Sequence, residues 1–242
     1  MPTCDMPSAH TPAQLEEFGW TAVPRDFATV LKGVKPAVII AAADIKVPTT
    51  ELARKVDEYA KRELPEGTYN HSLRVYYYGR AILKQHFPEW KLTDETLYIT
   101  ALLHDIGCTP SNLRATLMSF EFYGGLLALD LLKSSGAPLP QAENVAETII
   151  RHQDLGETGT VTQLCQVILL ATVFDNVGLN PELITTETIQ QVVQLYPRNG
   201  WTKCFADTVG EECALKPWAH TTAIDGFAEK IMGNTLMAPY DK

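Results

Sequence analysis

The sequence predicts an all-α fold, and three observations carry the prediction. From Thr49 onward, apolar residues recur at helical spacing in long stretches broken by Gly and Pro. Alternating runs of β-branched residues, the mark of strands, are nearly absent. Several stretches begin with Thr or Asp ahead of an acidic first turn, as helix starts do. The chain has 242 residues, of which 45% are apolar and 20% charged, close to a typical globular composition. No repeat, low-complexity tract or linker divides it. The expectation is an irregular arm over residues 1–48 and one helical domain over 49–242.

The arm carries Pro2, Pro7, Pro12, Pro24, Pro36 and Pro48, a density that excludes long helices. Its stretch KPAVIIAAADIKVP suits a short extended piece or a strap laid over the core. Helices are then expected at about 49–63, 69–87, 93–107, 117–134, 141–152, 161–178, 184–195, 198–214 and 219–232. TDET at 93–96 and TTET at 185–188 supply N-caps. Gly107 and Gly136 follow helices as stop residues, and Gly124 and Gly125 permit close helix packing.

Polar residues on apolar stripes single out a candidate site. In the helix that carries LLHDIG (102–107), Leu97, Ala101, His104 and Asp105 share one face. An isolated buried carboxylate costs several kcal/mol unless it is paired or bound to a cation. His71 heads the stripe His71, Val75, Tyr78, Ile82. Val145, Ile149 and His152 repeat the pattern, and Leu164, Ile168 and Ala171 lead to Asp175. Taken singly, an inward His is more often a hydrogen-bonded core residue and an inward Asp a cap or an Arg partner. As a set on four helices, they supply the imidazole and carboxylate donors that a divalent metal needs. A chain of this length can bury a full core without a structural metal, so a metal would serve chemistry.

Other classes fit less well. The formal net charge is −9 with no Lys/Arg cluster, which argues against nucleic acid and anionic membranes and permits a small neutral substrate. No apolar run approaches the ~20 residues of a membrane span, and the N-terminus lacks the marks of a secretory signal. Cys4, Cys108, Cys165, Cys204 and Cys213 are odd in number and irregularly spaced, so they read as free thiols in a reducing compartment. The expected location is cytoplasmic. Cys108, close to the HD pair, is a candidate ligand, against the commoner role of a small buried hydrophobe.

The order His71, His104-Asp105, Asp175 resembles the HD-domain metalloprotein superfamily over about residues 50–235. The stretches YNHSLRVYYYGRAI, LTDETLYITALLHDIGCTP, FEFYGGLLALDLL, ETIIRHQDLGETG and LLATVFDNVGLNP, with FGWTAVPRD near the start, are similar to the fungal cyanamide hydratases. The resemblance implies an HD-domain helical bundle and a zinc-dependent hydro-lyase that detoxifies cyanamide by adding water to its nitrile, giving urea. It implies His71, His104 and Asp175 as metal ligands, with Asp105 a ligand or the base for the zinc-bound water that attacks the nitrile carbon. His152 is the candidate for donating a proton or orienting substrate, with direct ligation as its rival role. Asn70, Glu121 and Thr172 are candidate substrate contacts; their plainer roles are a helix cap, a charge at a helix start and a bond to the helix's own carbonyl. Fe(II) would fit the same donors as zinc. The runner-up is an HD-type phosphohydrolase acting on a nucleotide or small phosphate ester, with Arg74 and Arg151 near the motifs as phosphate partners. A non-catalytic helical binding protein is the third class. The proline-rich arm is a candidate for embracing a second subunit in a homo-oligomer.

Overall fold

The computed structural model describes residues 11–241. Pro2, Cys4 and Pro7 lie outside the described residues. Helices dominate: α1 (Pro12–Glu17), α2 (Phe27–Val30), α3 (Glu51–Glu63), α4 (Glu66–His86), α5 (Asp94–Leu103), α6 (Pro110–Ala115), α7 (Phe120–Ser134), α8 (Leu139–Arg151), α9 (Gln163–Val177), α10 (Thr186–Leu195), α11 (Trp201–Leu215) and α12 (Phe227–Met232). Among the described residues the only sheet is the antiparallel pair β1 (Ala22–Pro24) and β2 (Thr160–Thr162), with Val23 opposite Val161. The chain is all-α, as its periodicity predicts.

The helix starts follow from their side chains. Thr93 accepts the backbone N–H of Thr96, and Thr185 that of Thr188, so one otherwise unpaired donor is satisfied at each end. α9 runs through the middle of the molecule: every residue from Gln163 to Asn176 is buried. It packs against α4, α5 and α8. A helix buried on all sides has no solvent face on which to place a carboxylate, which is why Asp175 must find its partners inside.

The proline-rich arm is more regular than expected. It holds α1, β1 and α2 and is tied down by its polar groups. Trp20 Nε1 donates to Pro140 O at 2.9 Å, and Asn144 Nδ2 donates to Phe18 O at 2.7 Å. The KPAVIIAAADIKVP stretch lies as a strap on the core. Ile40 N donates to Thr188 Oγ1 at 3.0 Å, and that hydroxyl donates back to Ile40 O at 2.9 Å.

Two helices differ from expectation in ways that shape the site. The helix expected over 93–107 stops at Leu103, and Ile106–Cys108 forms a separate 3-10 turn. The cause is at Gly107, where a Cβ would fall 1.9 Å from Phe120 O. The backbone of α7 passes against Gly107 too closely for any side chain, and an α5 continued straight would not make that passage. The segment expected as one helix over 219–232 is a 3-10 turn, His220–Ala223, followed by α12, with the left-handed Gly226 (φ +62°) between them. Gly125 allows the other close contact predicted for this region, since a Cβ there would lie 2.5 Å from Ile150 Cγ1.

Candidate metal centre and active site

The break after Leu103 leaves His104 and Asp105 at the end of α5 rather than within it, and it turns both towards α4. His71 comes from the first half of α4, and His152 caps the end of α8. Three donor atoms converge. His71 Nε2 and His104 Nε2 are 3.2 Å apart, and Asp105 Oδ2 lies 3.6 Å from the first and 3.2 Å from the second. All three residues are at most 1% exposed.

The protons of these rings are fixed by what lies behind them. His104 Nδ1 is 2.7 Å from Ala101 O, and His152 Nδ1 is 2.6 Å from Ile149 O. A carbonyl only accepts, so both Nδ1 atoms carry the proton. His71 Nδ1 donates to Asp175 Oδ2 at 2.7 Å. In the neutral rings, the Nε2 atoms of His71 and His104 are therefore bare lone pairs facing each other and a carboxylate oxygen. Both oxygens of Asp105 are buried without a hydrogen-bond partner. Without a cation this contact requires a proton on one ring; a divalent cation satisfies all three donors together. The donor set therefore fits a divalent metal with three protein ligands: His71, His104 and Asp105.

Asp175 is placed one layer out, behind His71, and not among the converging donors. Its Oδ1 receives Arg198 Nη1 at 2.6 Å and Arg74 Nε at 3.1 Å; its Oδ2 receives Arg74 Nη2 at 2.9 Å besides His71 Nδ1. Both guanidinium groups are fully buried. Burial alone would raise the Asp175 pKa, but Arg198 and Arg74 outweigh it and hold the group well below the usual carboxylate range. Arg198 is held in turn by Asp241 Oδ1 at 3.2 Å, and Arg74 by the carbonyls of Tyr196 and Pro197. The His71 ring stacks on Trp201, with centroids 4.4 Å apart. Burial pushes its pKa down to about 4 even against the pull of Asp175, so the ring is neutral at pH 7 and its Nε2 free to ligate. Burial likewise raises Asp105, but the His104 beside it more than offsets this, and Asp105 is held well below its ordinary value.

The other expected site residues are spread around the centre. His152 Nε2 lies 3.6 Å from Asp105 Oδ1. His152 and Thr172 line a cavity of about 20 Å³ together with Gln153, Asn176 and Phe205. The Thr172 hydroxyl donates to Leu169 O at 3.1 Å. Asn70 turns elsewhere: its Nδ2 donates to Pro197 O at 3.3 Å, and it does not line that cavity. Glu121 is fully buried, accepts His220 Nδ1 at 2.8 Å on one oxygen and leaves the other without a partner, and it too is absent from the cavity wall. Cys108 is a buried free thiol outside the cluster; burial raises its pKa well above the ordinary value.

Sequence reasoning missed Arg198, Trp201, Asn176 and Phe205. Arg74 had a readable signal. It sits three residues after His71, on the same buried face, where a cation needs an inward anion such as Asp175. Arg198 and Trp201 lie around the left-handed Asn199 and Gly200 turn, and no periodicity points them at the centre.

Residues 68–189 match the HD domain family model. The cyanamide hydratases DDI2 and DDI3 of Saccharomyces cerevisiae are each 42% identical to this chain over 227 residues, covering 92% of this chain and 99% of the relative. The chain belongs to the cyanamide hydratase family of HD-domain proteins. Membership accounts for the HD pair at the break after α5 and for its helical surroundings, as the resemblance implied. Among the described residues, no helix is long and apolar enough to cross a membrane.

Proposed function

We propose that this protein hydrates cyanamide to urea at a zinc ion held by His71, His104 and Asp105. The observation that carries the reading is the convergence of those three buried donor atoms beside a cavity of about 20 Å³. So small a cavity suits a molecule of a few heavy atoms. Two relatives that match along almost their whole length are named for cyanamide.

A zinc ion there would supply Lewis acidity, bringing the first ionisation of water down to about pH 7. The rest is the work of the protein's side chains. Addition of water to the nitrile of cyanamide forms one C–O bond, moves a proton to the nitrile nitrogen and leaves an isourea that tautomerises to urea. His152, its Nδ1–H fixed on Ile149 O, presents a bare Nε2 that takes a proton from the attacking water and returns it to the nitrile nitrogen. Asp105 combines ligation through Oδ2 with an Oδ1 aimed at His152. Thr172 has its proton committed to Leu169 O, so its lone pairs accept from the cyanamide amino group. The side-chain oxygen of Asn176 accepts Trp201 Nε1 at 2.8 Å, which leaves its amide nitrogen to donate to the nitrile nitrogen. Asp175 serves as the carboxylate that fixes the His71 tautomer, not as a fourth ligand, which leaves a coordination position open. Asn70 and Glu121 take no direct part.

The phosphohydrolase alternative lacks a cation in the cavity. Arg74 is spent on Asp175, and Arg151 on Asp154 at 3.0 Å and the Thr160 carbonyl; neither lines the cavity wall. The deciding experiment measures urea release from cyanamide by purified protein, with metal content on the same sample and a chelated control. Urea formation that vanishes with the metal and returns with zinc supports the reading. Bound metal without urea would overturn it and direct attention to phosphate esters.

A further inference from the structure

The small cavity does not stand alone. Leu155, Val177, Ile224 and Phe227 line both it and a much larger outer groove of about 520 Å³, whose other walls are Leu179, Lys230 and Gly233. The four shared residues come from separate parts of the chain. Leu155 lies in the loop after α8 and Val177 at the end of α9, and Ile224 and Phe227 flank the left-handed Gly226 before α12. Beyond them the wall changes character. The outer groove is mostly aliphatic, whereas the inner cavity exposes His152, Gln153, Thr172 and Asn176. An apolar ring therefore separates a wide entrance from a narrow chamber into which four polar side chains point.

The ring is braced from the metal side. Phe227 packs edge-on against Phe205 at 5.9 Å, Phe205 stacks on Trp201 at 5.2 Å, and Trp201 stacks on His71 at 4.4 Å. Phe227 is thus fixed with respect to the donors.

Building on the proposed hydration of cyanamide, we infer that Leu155, Val177, Ile224 and Phe227 form a collar that limits the enzyme to neutral, unbranched nitriles about as long as cyanamide, with Ile224 and Phe227 setting the limit. Two physical terms act together. An ion crossing the collar must shed its hydration against side chains that offer no hydrogen bond, at several kcal/mol. A neutral rod of three heavy atoms gives up far less. A substituent on the amino nitrogen must then be fitted into a chamber far smaller than the groove outside it, about 20 Å³ against about 520 Å³.

The test compares kcat/KM for cyanamide and for N,N-dimethylcyanamide in the wild type, Ile224→Ala and Phe227→Ala, reading urea and N,N-dimethylurea by mass spectrometry and zinc per chain on each sample. The wild type is expected to prefer cyanamide strongly. The ratio of dimethylcyanamide to cyanamide is expected to rise at least about tenfold in either variant, the scale that one or two methyl groups carry in a shaped apolar pocket. Zinc per chain should stay that of the wild type. Phe227 also belongs to the small core of Trp201, Phe205 and Ile231, so Ile224→Ala, outside that buried set, keeps the test sound should Phe227→Ala fail to fold. A ratio unchanged within about twofold in folded, zinc-loaded Ile224→Ala overturns the collar, as does a wild type that takes both nitriles equally. If the wild type turns over neither nitrile, the activity reading has failed, and the collar is then read from the visible spectrum of the Co(II)-substituted protein. Perturbation by cyanamide alone in the wild type, and by both nitriles in Ile224→Ala, supports it; equal perturbation by both in the wild type overturns it.

Discussion

Replacing Asp175 with Asn tests the layered arrangement at its most exposed point. The change keeps the shape of the side chain and removes its charge. In the native protein that charge is shared by Arg74 and Arg198, both fully buried, at 2.9 Å and 2.6 Å. Removing one partner of a buried ion pair leaves the other uncompensated and costs about 3–5 kcal/mol. Two guanidinium groups lose their partner here, although Tyr196 O, Pro197 O and Asp241 retain part of the network, so the low end of that range is a fair floor. A domain of this size loses roughly 2–4 °C of Tm per kcal/mol. The metal-free variant should therefore melt about 6–20 °C below the metal-free wild type. Zinc affinity should fall as well. The Asn amide can present N–H to His71 Nδ1, which favours the tautomer with its proton on Nε2, where the metal must bind. Loss of such an outer partner typically weakens metal binding about 10–100-fold. Thermal melts with and without chelator, and zinc competition against a chromophoric chelator, measure both quantities. The reasoning fails if the metal-free Tm is unchanged or higher while zinc is lost. That pattern would mean that the carboxylate sits on the metal and is a burden to the empty protein.

Further expectations concern other parts of the molecule. His152→Ala should lower kcat by about 10²–10⁴-fold with zinc still near one per chain, and loss of the zinc would place His152 among the ligands instead. Gly107→Ala should destabilise the fold by about 1–3 kcal/mol or more and reduce zinc retention, because the new Cβ meets Phe120 O at 1.9 Å and must push the turn carrying Asp105; an unchanged melt and zinc content would contradict the reason given for the break after α5. The hydrogen bond from His220 to Glu121 raises the His220 pKa above its ordinary 6.5. Its contribution to stability is therefore fully present below pH 6.5 and lost as pH rises through the folded value, so the stability difference between wild type and His220→Gln should shrink with rising pH. An NMR titration placing His220 at or below 6.5 would refute this. Chelation should abolish urea formation and leave a folded protein of lower Tm, since a ligand that binds only the native state stabilises it by mass action.

Most of the helical frame was legible because its signals are local. Thr93 and Thr185 cap the helices that their own next three residues begin, and α9 shows its inward stripe in Leu164, Ile168 and Ala171. The converging polar residues were legible for a related reason: His71, His104 and Asp105 are costly residues on faces built for burial. That argument finds inward-facing groups without saying what they face. It placed Asp175 inside correctly, yet the two arginines that meet it lie 101 residues before and 23 residues after it, and only the folded chain brings them together. The end of α5 was misplaced because its cause is Phe120, on the next long helix. The cavity and its collar were invisible for the same reason: Leu155, Val177, Ile224 and Phe227 are ordinary apolar residues one by one.

The bond from His71 to Asp175 joins residues 104 apart, and Arg198, which holds the same carboxylate, is held by Asp241 a further 43 residues along. Closing such long stretches of chain brings an entropy cost that nearby contacts do not carry, and folds rich in them form slowly. A chain that stops short of Arg198 therefore lacks the contacts that hold Asp175 behind His71. The two histidines come together early in sequence, but the tautomer that makes His71 a donor waits for Asp175, and Asp175 waits for Arg198. Zinc uptake followed during refolding should accordingly appear late and in one step with the final compaction.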